Sequence, residues 1–288
     1  MSKQLELPIS REPEQDRNFN RGGRSFYFFD FDDNVAFLST PMFLFHKNTQ
    51  QELKISSADY AENSHLIGKS GRFQDYMLDF DPQKGSFRRF RDKNLSILDK
   101  VLRRPQIFVK DLTAALGMPH VEWKGPSWSR FYHAVFNHRP ISLITARGHH
   151  PDTIKEGIRV WVKQGHLPKE PNYLSLYPVS HPKIQMDLGL GQTESIPRLK
   201  QAAVRASVEK AFEVYGFNPH HRFGMSDDDP QNVKWIIEEM TLLKKKYGEV
   251  SFFVFQTYQG QMIKHEVFAD HVEDKILNQT QQLSLFED

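Results

Sequence analysis

Carboxylates gathered at the end of an apolar segment repel one another and lose hydration unless a cation or a proton offsets them. Asp30, Asp32 and Asp33 follow directly on Phe26-Tyr-Phe-Phe29, and Asp227, Asp228 and Asp229 follow on Phe223-Gly-Met-Ser226. The aromatic run, entered from the turn-forming Arg21-Gly-Gly-Arg24-Ser25, reads as a short strand buried on both faces. Alternation along that strand sends Asp30 and Asp32 to the same side. A divalent ion held between them is the simplest account. Asp79-Phe80-Asp81 repeats the spacing, but Asp81-Pro-Gln-Lys-Gly85 marks it as a turn and the repeat as chance.

The elements that must position these acids alternate in type. A helix over 128–136, capped by Ser127, carries Trp128, Phe131, Tyr132, Val135 and Phe136 on one stripe. A strand over 141–145 ends in Thr145-Ala-Arg147-Gly148, and a helix over 151–164 follows. The same reading gives strands at 173–177, 221–225 and 250–255, helices at 198–215 and 233–246, and a strand at 262–268 pairing with its predecessor. Such alternation implies an α/β fold with a mostly parallel sheet covered on both faces. Ligands in these sheets bind outside the carboxyl ends of the strands, where Asp30, Asp32, Thr145, Asp227 and Asp228 all fall.

Periodicity is poor over 42–126. Residues 36–41 read as an extended or hairpin continuation, 42–45 as a strand, 57–63 as turn-rich, and 95–103 and 109–116 as short helices. The expected organisation is therefore a mobile segment over 1–24, a core built from 25–41 and 127–270, a cap insertion over 42–126 and a tail over 271–288.

Composition narrows the classes. The chain has 288 residues, 39% hydrophobic and 12% aromatic, enough for a packed interior. Its net charge of +2 favours no partner, so any basic surface is local. Cysteine is absent, which excludes disulfides and thiolate metal sites. With no long apolar run and a polar start, the expectation is a soluble, cytoplasmic protein without membrane spans.

Taken together, these residues resemble the haloacid-dehalogenase-like (HAD) hydrolase superfamily. The apolar strand with Asp30-Phe-Asp32 is similar to its first motif, and the strand ending in Thr145 to its second. Lys200, near a helix start, matches the third by placement, and Phe223-Gly-Met-Ser-Asp227-Asp228 matches the fourth. The resemblance covers 26–41 and about 127–270; nothing familiar matches 42–126. It implies a Rossmann-like core and a Mg²⁺-dependent phosphomonoesterase. Asp30 would attack phosphorus to form an aspartyl-phosphate, and Asp32 would serve as general acid and then base. Mg²⁺ would be held by Asp30, the main-chain carbonyl of Asp32, and Asp227 or Asp228. Thr145 and Lys200 would neutralise the phosphoryl oxygens.

Asn34 departs from the family, which has Thr or Val at that place; its amide is expected near the substrate or bonded to the adjoining turn. Lys210 competes with Lys200 but lies mid-helix. Asp229, before Pro230, either joins the metal or caps the next helix. Arg147 reaches a substrate phosphate or a surface partner. His149-His150 and His220-His221 read as exposed pairs, since adjacent side chains diverge. The run Arg88-Arg89-Phe90-Arg91-Asp92-Lys93 suits either solvent or a nucleic-acid backbone. At the other end, Gln282-Leu283-Ser284-Leu285-Phe286 resembles the peptide by which bacterial replication and repair proteins dock on the sliding clamp, with Gln4-Leu-Glu-Leu-Pro8 a looser echo. The substrate class is open: a small phosphometabolite, a nucleotide or a nucleic-acid terminal phosphate. The alternatives are a non-catalytic adaptor that binds the clamp or DNA, and a phosphotransferase.

Overall fold

The computed structural model describes residues 12–102, 104–118, 123–191, 194–257 and 261–277. The peptides at 4–8 and 282–286 lie outside them. The first strand, β1 (Ser25–Phe29), is buried along its whole length, as four consecutive aromatics require. It is central in a seven-stranded sheet. On one side it pairs in parallel with β5 (Pro140–Thr145), which pairs with β6 (Asn172–Pro178). On the other it pairs in parallel with β7 (Arg222–Asp227), followed by β8 (Ser251–Gln256). Antiparallel β9 (Met262–Val267) and β10 (Val272–Leu277) complete that edge. The chain runs outward from β1 to β6 and then returns to β7 on the opposite side. The switch in strand order therefore falls between β1 and β7, and sheets of this kind take their ligands at the carboxyl ends beside such a switch.

Alternate aromatics of β1 feed two cores. Tyr27 and Phe29 pack with α3 (Ile107–Ala115), α4 (Trp128–Phe136) and α5 (Pro151–Lys163) on one face. Phe26 and Phe28 pack with α7 (Ile196–Tyr215) and α8 (Pro230–Lys246) on the other. A short helix, α6 (Pro182–Asp187), follows β6. No helix among the described residues is long and apolar enough to cross a membrane.

The insertion builds its own three-stranded antiparallel sheet, with β2 (Met42–His46) between β3 (Glu52–Ile55) and β4 (Tyr76–Met77). Met42, Leu44, Ile55 and Phe73 form a small core beneath it. Residues 36–41 belong to no strand; the hairpin comes later, between β2 and β3. The expected turn region at 57–63 is a helix, α1 (Ser57–Asn63), closed by a capping box. Ser56 Oγ accepts from the Asp59 amide, and the Asp59 carboxylate accepts from the Ser56 amide. The helix expected over 95–103 is shorter, α2 (Ile97–Val101). The helix expected at 109–116, α3, belongs to the main core rather than to the small sheet. Gly157 of α5 lets Phe108 and Leu112 approach so closely that a Cβ there would lie 2.5 Å from Leu112 Cδ1.

Two ends expected to be mobile or a tail contain ordered parts. Asp16 is buried, pairs with Arg139 at 2.9 Å and accepts from the Ser25 amide, which ties residues 12–24 to the sheet. Residues 272–277 form the edge strand β10, mostly exposed and charged as an edge needs to be.

Candidate active site

The site is assembled at the carboxyl ends of β1 and β7. Asp30 follows β1 directly, and its amide donates to Ser226 O at 2.8 Å. Asp227 is the last residue of β7. Carboxylate oxygens of Asp30, Asp227 and Asp228 lie within 4.8 Å of one another. Lys200, one turn into α7, reaches between them: its buried Nζ lies 3.0 Å from Asp30 Oδ1 and 2.7 Å from Asp227 Oδ2. Lys210 instead pairs with Glu213 on an exposed helix face. Asp229 caps α8, accepting from the Gln231 amide at 2.8 Å. The second oxygen of Asp227 accepts from the Asp229 amide and from Asn232, which fixes the carboxylate plane.

Charge in this cluster is unbalanced, with three carboxylates facing one ammonium. Burial raises the Asp30 carboxyl well above its usual range; Lys200 opposes this, while Asp227, Asp228 and Asp32 add to it. Burial and then Asp227 lift Asp228 to about 7. Burial works against the Lys200 ammonium, but Asp227 and Asp30 outweigh it and keep the group charged. A set of hard oxygen donors with excess negative charge fits Mg²⁺, and Asp30, Asp227 and Asp228 would hold it. Such an ion would offset the excess negative charge of the cluster and of any anionic group brought beside it.

Asp32 lies apart from this trio, in a second network. Arg147 Nε donates to its two oxygens at 3.1 and 2.8 Å, and Nη2 donates to Oδ1 at 2.6 Å. Thr145, at the end of β5, donates from Oγ1 to the same carboxylate at 3.4 Å. The guanidinium is fully buried, 4.8 Å from the Phe90 ring and 4.9 Å from that of Phe108. Nη2 also donates to Thr40 Oγ1 at 2.8 Å, and Nη1 lies 3.3 Å from His149 Nε2. His149 Nδ1 lies 3.0 Å from Asp92, whose other oxygen accepts from the His150 amide and Thr153. Arg147 is thus buried rather than at the surface, and its guanidinium is turned to Asp32. Nor are the histidine pairs both exposed. His149 and His221 are buried, and His221 accepts from the Arg24 amide and bonds Gly216 O. Thr40, Asp92 and His149 join the site with no motif to announce them.

Asn34 holds the turn that separates Asp30 from the insertion. Its Nδ2 donates to the Asp30 and Ser226 carbonyls, and its Oδ1 accepts from Ser226 and Thr257. Every hydrogen-bonding position of the amide is used within the protein, so the substrate contact expected of Asn34 gives way to a structural one. Gly125 completes this turn, since a Cβ there would lie 2.3 Å from Asn34 O. Ser127 sits at the start of α4 but makes no side-chain cap; its hydroxyl lies 2.5 Å from that of Ser226. Asp33 adopts a left-handed φ of 57°, and burial together with Asp32 lifts its carboxyl to about 6.

Thus Asp30, Lys200, Asp227 and Asp228 meet in one cluster, Asp32, Thr145 and Arg147 form its neighbour, and Asn34 ties the Asp30 turn to Ser226 and Thr257. No family model, curated protein or solved structure matches the chain.

Proposed function

We propose that the protein is a Mg²⁺-dependent phosphomonoester hydrolase of the HAD type. The observation that carries this reading is the convergence of Asp30, Asp227 and Asp228 around Lys200 at the strand-order switch. In this reading Asp30 attacks phosphorus and the bond to the leaving alcohol breaks, giving an aspartyl-phosphate on the protein. Asp32 gives a proton to the departing alkoxide, then takes one from the water that hydrolyses the acyl-phosphate. Both Asp32 oxygens accept from Arg147, so one of these bonds is given up while Asp32 carries the proton and is restored as the proton is delivered to the alkoxide. Lys200 and Thr145 face the developing charge on the phosphoryl oxygens. In this reading the insertion that carries the small sheet over 42–77 governs access and hence substrate.

The test is a phosphatase screen with Mg²⁺ over sugar phosphates, nucleotides, an aryl phosphate and terminally phosphorylated oligonucleotides. Wild type is expected to release phosphate from at least one class, and Asp30→Asn from none. If wild type hydrolyses nothing while clamp or DNA binding persists, the chain is an adaptor. Transfer of phosphate to an added alcohol without release would instead make it a phosphotransferase.

A further inference from the structure

Beside the site, cations crowd together without counter-charges. Arg89, Arg91, Lys93 and Lys110 have no carboxylate within ion-pair distance among the described residues, whereas neighbouring Arg88 is neutralised by Glu52 at 2.7 Å. After burial, it is Arg89, Lys110 and Arg88 that depress the Lys93 ammonium, so these groups share one field. An open aromatic ring flanks them. Phe80 is 72% exposed and stacks at 5.9 Å and 22° on Phe87, the residue preceding the turn Arg88–Phe90. The same segment abuts the site. Arg91 bridges to Gly148, the Gly148 amide donates to Phe90 O at 2.8 Å, and the Phe90 ring packs on the guanidinium that holds Asp32.

A lone phosphate bound at the acid cluster has no use for further uncompensated cations and an exposed ring beside it. A repeating phosphate chain with stackable bases uses both. We propose that this face binds single-stranded nucleic acid and leads its phosphorylated end to Asp30. The second half of this statement rests on the hydrolase reading; the first does not.

The test is fluorescence anisotropy of the full chain with a labelled, terminally phosphorylated DNA oligonucleotide across a salt series, beside hydrolysis of an aryl phosphate. Each neutralised contact removes about 0.7 from the slope of log affinity against log salt. The triple variant R89Q/K93Q/K110Q should therefore flatten it by about 2. Phe80→Ala should weaken binding by about 5-fold or more. Both changes lie on the surface and should leave the melting temperature unmoved. An unchanged slope, or polyglutamate binding as tightly as the oligonucleotide with Phe80→Ala silent, overturns the proposal. Aryl phosphate hydrolysis without oligonucleotide binding overturns the surface and spares the hydrolase. Binding that persists in Asp30→Asn, with no phosphate released by wild type, supports the surface and overturns the hydrolase.

Discussion

The Asp32–Arg147 pair can be dissected by a double-mutant cycle whose outcome depends on burial. Arg147→Met removes two donor nitrogens, which make three contacts, from a carboxylate that is 22% exposed. Breaking one side of a buried pair costs about 3–5 kcal/mol, and the residual exposure of Asp32 puts this change near 3. Asp32→Asn strands a guanidinium that is 0% exposed, with Thr40, His149 and two aromatic rings for company, and costs about 4 kcal/mol. The double variant leaves no unpaired charge, so its loss should fall short of the sum by about 2–3 kcal/mol. Urea denaturation of the four proteins measures the coupling; additivity to within about 0.5 kcal/mol would refute the buried clamp. Kinetics on the best substrate from the screen then separate positioning from substrate contact. Arg147→Lys keeps the charge and loses the fork, so kcat should drop with KM little changed. A rise in KM alone would mean that Arg147 touches substrate.

Mg²⁺ in large excess over its Kd should stabilise wild type by about 2.7 kcal/mol, roughly 5 °C in melting temperature, and Asp228→Asn should lose most of that gain in the same scan. Burial works against the Asp92 carboxylate, but hydrogen bonds from His149, the His150 amide and Thr153 hold its pKa below the usual 3.8. It therefore contributes stability in full above about pH 4, and that contribution is lost as pH falls through the depressed value. Acid titration of Asp92→Asn should show a lower plateau at neutral pH that converges on wild type in acid. Removal of residues 279–288 should abolish binding to a bacterial sliding clamp in surface plasmon resonance while leaving phosphate release intact; retained clamp binding would rule out the tail peptide.

What was legible in the sequence tracks the sequence distance over which each feature is decided. Four aromatics before Asp30 specify a strand buried on both faces by themselves, and the helix stripes after Trp128 and Pro151 do the same for their layers. The choice of Lys200 over Lys210 follows from place on a helix: one turn from the start of α7, a lysine can reach back to strand ends, whereas Lys210 meets only Glu213. Asp59 three residues after Ser56 was a local signal as well, a capping box that composition disguised as a turn. The Arg147 network is of another kind. Its pairs stand 115, 107 and 57 residues apart along the chain, and nothing local to Arg147, Thr40, Asp92 or His149 announces that they meet Asp32 or one another. Only the packing of Phe90 and Phe108 around the guanidinium withdraws it from water and makes a carboxylate partner obligatory. Because Phe90 and Asp92 belong to the insertion while Asp32 and Arg147 belong to the sheet, a shift of the insertion would disturb the candidate acid without touching it. The segment proposed to meet a polyanion also carries Phe90, whose ring packs on the guanidinium that holds Asp32, so a nucleic acid bound there would act one side chain away from the candidate acid.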